Sequence, residues 1–133
     1  MTSPKELVSI ILPTRNSIRT LRDCLESIVN QTYSNIEIIA IDNYSVDSTR
    51  DLASRYSAKV ILGGPKPPNN NFFTAPNLRE EGATFASGEY IFFMDSDMIL
   101  ERELIAECID KCSRGADAIL VSEISFGQGF WAK

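Results

Sequence analysis

The stretch IEIIAIDNYSVDSTRDLASRY, Ile36 to Tyr56, decides the fold. Ile36 to Ile41 is an apolar, β-branched run of the kind expected for a buried strand, and it ends in Asp42. The residues after it change character. Ser45 is placed to cap a helix, Asp47 falls in the first turn where the helix dipole favours negative charge, and Leu52 and Tyr56 share one face. A buried strand that passes through a polar turn into a short helix is half of a parallel-sheet unit.

The rest of the chain repeats that unit. LVSIIL (Leu7 to Leu12) is a continuous apolar run closed by Pro13. After it, Ile18, Leu21, Leu25, Ile28 and Val29 recur at helical spacing, with Asn16 or Ser17 as the cap. KVIL (Lys59 to Leu62) reads as a third strand, and GGPKPPNNN as a loop. Thr74 is placed to cap a helix with Pro76 in its first turn, running through Leu78, Phe85 and Ala86 to Gly88. GEYIFFMDSDMIL, Gly88 to Leu100, supplies a fourth strand at Tyr90 to Met94 and delivers Asp95 and Asp97 at its end. ERELIAECIDKCSRG puts Leu104, Ile105, Cys108, Ile109 and Cys112 on one helical face and stops at Gly115, and DAILV (Asp117 to Val121) reads as a fifth strand. The tail SEISFGQGFWAK carries no regular pattern. The alternation predicts a three-layer α/β/α fold with a mainly parallel sheet, and residues 1–133 as a single domain.

Composition narrows the function classes. A 133-residue chain buries roughly two thirds of its unfolded surface and needs no staple. With 44% apolar and 23% charged residues it is an ordinary globular sequence, and its apolar runs are too short to span a bilayer. MTSPKELVSIILP does not read as a signal peptide, so the expected location is cytoplasmic, with the inner face of the membrane as a peripheral alternative. The net charge of −5 argues against nucleic acid as a partner. The absence of histidine excludes the usual zinc sites and the Ser/His and Cys/His dyads, so acid, base or metal chemistry falls to Asp and Glu. Cys24, Cys108 and Cys112 are odd in number and read as reduced, buried thiols.

In open parallel sheets ligands sit beyond the carboxyl ends of the strands, where strand order reverses. Those ends here carry Pro13, Thr14, Arg15 and Asn16, then Asp42 and Asn43, then Asp95, Ser96 and Asp97. No GxGxxG or GxxxxGK[ST] follows a strand, so the edge is neither a dinucleotide site nor a P-loop. Two carboxylates at a turn after a strand can converge on a hard divalent cation such as Mn²⁺ or Mg²⁺, which would let an acidic protein hold a diphosphate. Asp42 suits a base or ribose, and Arg79 a phosphate. Each residue has a plainer alternative: an acid capping the next helix for DSD, a turn residue bonded to backbone for Asp42, and a surface ion pair with Glu80 or another acid for Arg79. Asp47 is assigned to capping.

The motifs resemble those of the family 2 glycosyltransferases of the GT-A fold. VSIILPTRN looks like that family's opening strand and loop, LRDCLESIVNQTYSNIEIIAIDNYSVDST like its helix, QTY turn, strand and DDGSTDGT-like motif, and LREEGATFASGEYIFFMDSDMIL like its RNxGxxxAxGxYIxFLDSDD segment. The resemblance covers Val8 to about Leu100. It implies that Pro13 to Arg15 line a nucleobase pocket, Asp42 bonds the base, and Arg79 approaches the diphosphate. It also implies that Asp95 faces the ribose or the metal and that Asp97 ligates the metal, with Asn43 and Ser96 beside them in the nucleotide site. The sequence departs from the family pattern at Asn43, Tyr44, Glu80 and Met98.

The implied activity is transfer of a sugar from a nucleotide-diphosphate sugar to the hydroxyl of a saccharide, lipid or protein acceptor, with inversion and a divalent metal. The acceptor half and its general base are expected beyond Lys133, leaving Glu123 as the candidate base within the chain. The alternative is a non-catalytic nucleotide-binding or assembly module that forms homo-oligomers through Phe126, Phe130 and Trp131. A nucleotidyltransferase is disfavoured by the lack of a glycine-rich, basic loop after the first strand.

Overall fold

A computed structural model describes residues 5–63 and 75–123. The elements run in the order β1 (Val8–Thr14), α1 (Leu21–Val29), β2 (Ile36–Asp42), α2 (Thr49–Arg55), β3 (Lys59–Leu62), α3 (Ala75–Thr84), β4 (Tyr90–Phe93) and α4 (Leu104–Ser113). The sheet order is β3-β2-β1-β4, and every pairing is parallel. The chain steps outward from β1 through β2 to β3, then crosses back to place β4 on the other side of β1. Strand order therefore reverses between β1 and β4, and the crevice between their carboxyl ends is the expected ligand position.

Every residue of β1 is buried, because both of its faces are covered. On one face Val8, Ile10 and Leu12 join Ile38 and Ala40 of β2 against Leu21, Cys24, Leu25 and Ile28 of α1, Leu52 and Ala53 of α2, and Ile105 of α4. On the other face Ile11, Ile39 and Ile41 pack with Leu78 of α3. Each fully buried Val, Leu or Ile side chain among them contributes about 1.5–3 kcal/mol. The period of two along β1 and β2 thus feeds two separate cores. Gly82 lets α3 lie directly on the sheet: a Cβ there would stand 2.5 Å from Ile11 Cγ2 and 2.8 Å from Ile41 Cγ1.

Several element boundaries differ from the sequence expectation. α1 begins at Leu21, where Ser17 O accepts the amides of Thr20 and Leu21, and Ile18 stays outside the helix with Val29 half exposed at its end. α2 begins at Thr49 after Ser48, not at Ser45, because Ser45 turns back to bond the buried Asp42. α3 ends at Thr84, ahead of Phe85 and Ala86; its expected cap Thr74 lies outside the described residues. The expected fifth strand is absent: Asp117 to Val121 has no regular structure, and Leu120 is 100% exposed. A short apolar run becomes a strand only by pairing its backbone with a neighbour. Among the described residues DAILV has no such pairing, and β4 remains an edge with Ile91 and Phe93 44% and 49% exposed. All three cysteines are free thiols, with Cys24 buried and the other two half-buried.

Candidate functional site

The carboxyl ends of β1, β2 and β4 open onto a cleft of about 530 Å³. Pro13, Thr14, Arg15, Asn16, Ser17 and Thr20 line it from the first loop, Asn43 from the second, Leu78 from α3, and Asp95, Ser96 and Asp97 from the third. Seven residues expected from the sequence therefore share one wall: Pro13, Thr14, Arg15, Asn43, Asp95, Ser96 and Asp97. Asp42 and Arg79 do not line it.

Asp42 lies behind the cleft, with a fully buried side chain. The parallel register sets Thr14 beside it, and Thr14 Oγ1 donates to Asp42 Oδ1 at 3.0 Å. Ser45 donates twice, from Oγ to Oδ1 at 2.6 Å and from its amide to Oδ2 at 2.9 Å, and Arg50 Nε stands 3.6 Å from Oδ2. These bonds make the carboxylate gather its own loop, as the turn-residue alternative has it, and Asn43, the residue after β2, stands on the cleft wall.

The two loops are bonded to each other. Asn16 donates its amide to Ser45 Oγ at 2.9 Å and accepts from the Val46 amide at 2.8 Å. The Ser17 amide donates to Thr49 Oγ1 at 2.8 Å, and Asp47 accepts from the Thr49 amide at 2.9 Å and from the Thr49 hydroxyl. The bond from that hydroxyl holds the Asp47 carboxyl below its ordinary range; Asp47 stands ahead of the N-cap Ser48 and not in the first turn as expected, and it reaches the helix through the Thr49 amide. Asn16 and Tyr44 take positive φ, 45° and 57°, a strained choice for the tyrosine that survives only where neighbours hold the loop.

β4 runs into a tight turn over Asp95 to Met98, in which the Met98 amide donates to the Asp95 carbonyl at 3.2 Å. The Met94 amide, bonded to Ile11 O at 3.2 Å, anchors the turn to the sheet, and Met98 packs into the core below. Where the resembled motif carries its last acid, this chain thus has an apolar side chain with a packing role. Ser96 Oγ lies 2.9 Å from Ser17 Oγ and joins this turn to the first loop. Arg79 pairs with Asp95 through Nη2; its Nε is buried with no acceptor among the described residues. The partner acid is therefore Asp95 and not Glu80.

Asp97 is exposed and Asp95 half-buried. Beneath them the Cys24 thiol is pushed up to about 12, first by burial and then by the charges of Asp97 and Asp95. Asp95 and Asp97 share the cleft wall with Arg15, and Asp95 is paired with Arg79 beside the cleft. Among the described residues no group of three or more acids or thiols could hold a metal by itself. Asp95 and Asp97 are hard oxygen donors of the kind Mn²⁺ or Mg²⁺ prefers, and such ions can fill the rest of their shell with water. Glu123 is exposed and outside any regular element. Phe126, Phe130 and Trp131 lie outside the described residues.

Sequence reading missed the tie between the QTY turn and the segment after Asp97. Gln31 accepts the Ile105 amide at 3.0 Å and donates to the Glu101 carbonyl at 2.6 Å, while the Thr32 amide donates to Arg102 O at 3.0 Å. The local signal is slight: a polar residue directly after an amphipathic helix.

Comparison with known proteins gives a consistent set of relatives. A family model described as glycosyl transferase family 2 matches residues 9–132. The chain is 34% identical over 110 residues to a poly(ribitol-phosphate) beta-glucosyltransferase of Bacillus spizizenii, covering 74% of this chain and 16% of that protein. It is 32% identical over 121 residues to the glycosyltransferase GlyG of Streptococcus pneumoniae, covering 86% of this chain and 38% of the relative. It is 39% identical over 92 residues to WfaP of Escherichia coli, a UDP-Glc:alpha-D-GlcNAc-diphosphoundecaprenol beta-1,3-glucosyltransferase, covering 69% and 36%. Among solved structures, S. aureus TarS 1-349 superposes with a TM-score of 0.71 at 19% identity, over 92% of this chain and 40% of that one. The mannosyltransferase PcManGT of Pyrobaculum calidifontis, in complex with GDP-Man and Mn2+, gives a TM-score of 0.64 at 22% identity, over 80% and 32%. The chain spans well under half the length of each of these proteins.

Proposed function

The chain belongs to glycosyl transferase family 2 and has the GT-A fold, and from that premise we propose that it is the donor-binding part of a glycosyltransferase. The cleft at the β1–β4 switch point takes a nucleotide-diphosphate sugar and presents its anomeric carbon to an acceptor hydroxyl, with inversion. The observation that carries this reading is the convergence of Pro13 to Arg15, Asn43 and Asp95 to Asp97 on one wall of that cleft.

Each residue then has a task set by its position. Pro13, Thr14 and Arg15 flank the nucleoside, and Asn43 takes the base contact that Asp42, buried and filled by its own loop, does not offer. Asp42 holds that wall in shape. Arg79 offers its planar fork to the diphosphate. An anion that competes for this guanidinium releases Asp95 toward the ribose or the cation, while Asp97 already faces the cleft. A cation bound by Asp97, with Asp95, would draw charge from the departing diphosphate. No described residue is assigned as the base that activates the acceptor hydroxyl.

The relatives suggest the range of partners. WfaP is named for a UDP-sugar and a diphosphoundecaprenol acceptor, and PcManGT was crystallised with GDP-Man and Mn2+. The WfaP name is the ground for extending the proposal to a lipid-linked acceptor at the inner face of the membrane. Calorimetry with UDP and GDP, each with and without Mn²⁺, tests the proposal. Metal-dependent binding of one nucleotide, abolished by Asp97→Ala, is expected; failure of both to bind overturns the donor-site reading.

A further inference from the structure

Three side chains along α1 and its exit reach the segment that links the acidic turn to α4. Cys24 Sγ contacts the Asp95 carbonyl at 3.8 Å, and Ser27 Oγ accepts the Leu100 amide at 3.0 Å. Gln31 follows, with Oε1 on the Ile105 amide and Nε2 shared between the carbonyls of Glu101, at 2.6 Å, and Ser27, at 3.1 Å. Cys24 and Ser27 lie three apart on one face of α1, and Gln31 extends that stripe just past the helix end. The stripe grips the segment at its start, middle and end.

Gln31 also does the work of a cap. Ile105 is the second residue of α4, whose amide has no partner within the helix. Glu103, at the N-cap position, makes no side-chain capping bond, and the 8% exposed amide of Gln31 supplies the acceptor from across the fold.

We infer that Gln31, assisted by Ser27, is a positioning residue for the carboxylates at the Asp95–Asp97 turn. The inference rests on the metal reading proposed above. The turn is held upstream by the Met94 amide on Ile11 O, a bond of the sheet itself. Downstream, beyond Met98, the hydrogen bonds that hold it come from Ser27, Gln31 and the adjoining Thr32 amide. Small hard cations demand near-ideal ligand geometry, so an exposed carboxylate whose turn is free to shift binds them poorly. Within the turn Arg79 holds Asp95, Ser17 holds Ser96 and Met98 packs into the core, so loss of the Gln31 anchor acts on Asp97 as a loosening from the downstream side. Partners that orient metal ligands typically change metal affinity about 10–100-fold.

The test is Mn²⁺ binding to the whole chain, followed by electron paramagnetic resonance, with folding followed by circular dichroism. Gln31→Ala is expected to weaken Mn²⁺ about tenfold, and Ser27→Ala, which removes the acceptor for one amide, about threefold. Glu37→Ala serves as the control at the opposite end of the sheet, where its carboxylate binds the Ser87 amide and Ser9 Oγ. It is expected to lower Tm and leave Mn²⁺ affinity unchanged. Wild-type Mn²⁺ affinity in folded Gln31→Ala, or an equal loss in Glu37→Ala, overturns the inference. If Gln31→Ala does not fold, unchanged affinity in Ser27→Ala overturns it. Asp97→Ala separates the two levels: retained Mn²⁺ binding there sinks the metal reading itself, whereas its loss beside an unaffected Gln31→Ala sinks only the positioning role.

Discussion

The turns after β2 and β4 begin alike and end in opposite states. In each, an apolar strand of the parallel sheet delivers an aspartate at its carboxyl end, Asp42 in one and Asp95 with Asp97 in the other. β2 lies between β1 and β3, so Thr14 stands beside Asp42 and the loop folds back to bring Ser45 and Arg50. β4 lies at the edge, and its turn projects over the cleft with Asp97 exposed. An acid at a strand end becomes available to a ligand only where the fold leaves its oxygens unfilled.

The sharpest way to break this contrast is to remove each acid in turn. Asp42→Ala strands the Thr14 hydroxyl and both Ser45 donors, and is expected to cost about 3 kcal/mol in urea unfolding. Asp97→Ala is expected to change stability by less than about 0.5 kcal/mol. Equal stability losses would erase the distinction. Next in size, Gly82→Val drives a side chain into Ile11 and Ile41, and overpacking of this kind costs about 1–3 kcal/mol. Thermal unfolding measures it, and a neutral result would mean that α3 does not need its close approach.

Arg79→Gln is expected to alter stability by less than about 1 kcal/mol, because the Asp95 pair is partly exposed. Its effect should appear in calorimetry as roughly tenfold weaker binding of a nucleoside diphosphate, the cost of one charge-assisted bond. The smallest effect belongs to Asp47. Its folded carboxyl titrates below the ordinary value of 3.8, so the stability it contributes is present above that value and is lost as pH falls through the folded one. Asp47→Ala should therefore lower the unfolding midpoint at neutral pH and make no difference at the most acidic end of the curve.

Much of the fold is legible locally because apolar runs and helical spacing are local signals. IEIIAI, LVSIIL, KVIL and YIFF are all strands, and the spacing of Leu21, Leu25 and Ile28 marks the buried face of α1. DAILV carries the same apolar signature and is not a strand, since pairing depends on a neighbour and not on composition. Ser45 reads equally well as a helix cap and as a partner for Asp42; burial of the carboxylate decides for the second, because a buried charge without donors is far costlier than an unfilled cap. The Gln31 contacts span 70 and 74 residues, beyond the reach of any local pattern.

The sequence by itself determined the alternation of strands and helices, the position of polar residues at the strand ends, and the presence of a DSD turn, because these follow from periodicity and backbone direction. Only the tertiary structure decided which acids are spent on the fold and which face the cleft, that Arg79 pairs with Asp95, and that Gln31 bonds the segment between the turn and α4. Those outcomes depend on burial and on donors brought together from distant parts of the chain. A carboxylate's role is set by the donors around it, and folding chooses those donors.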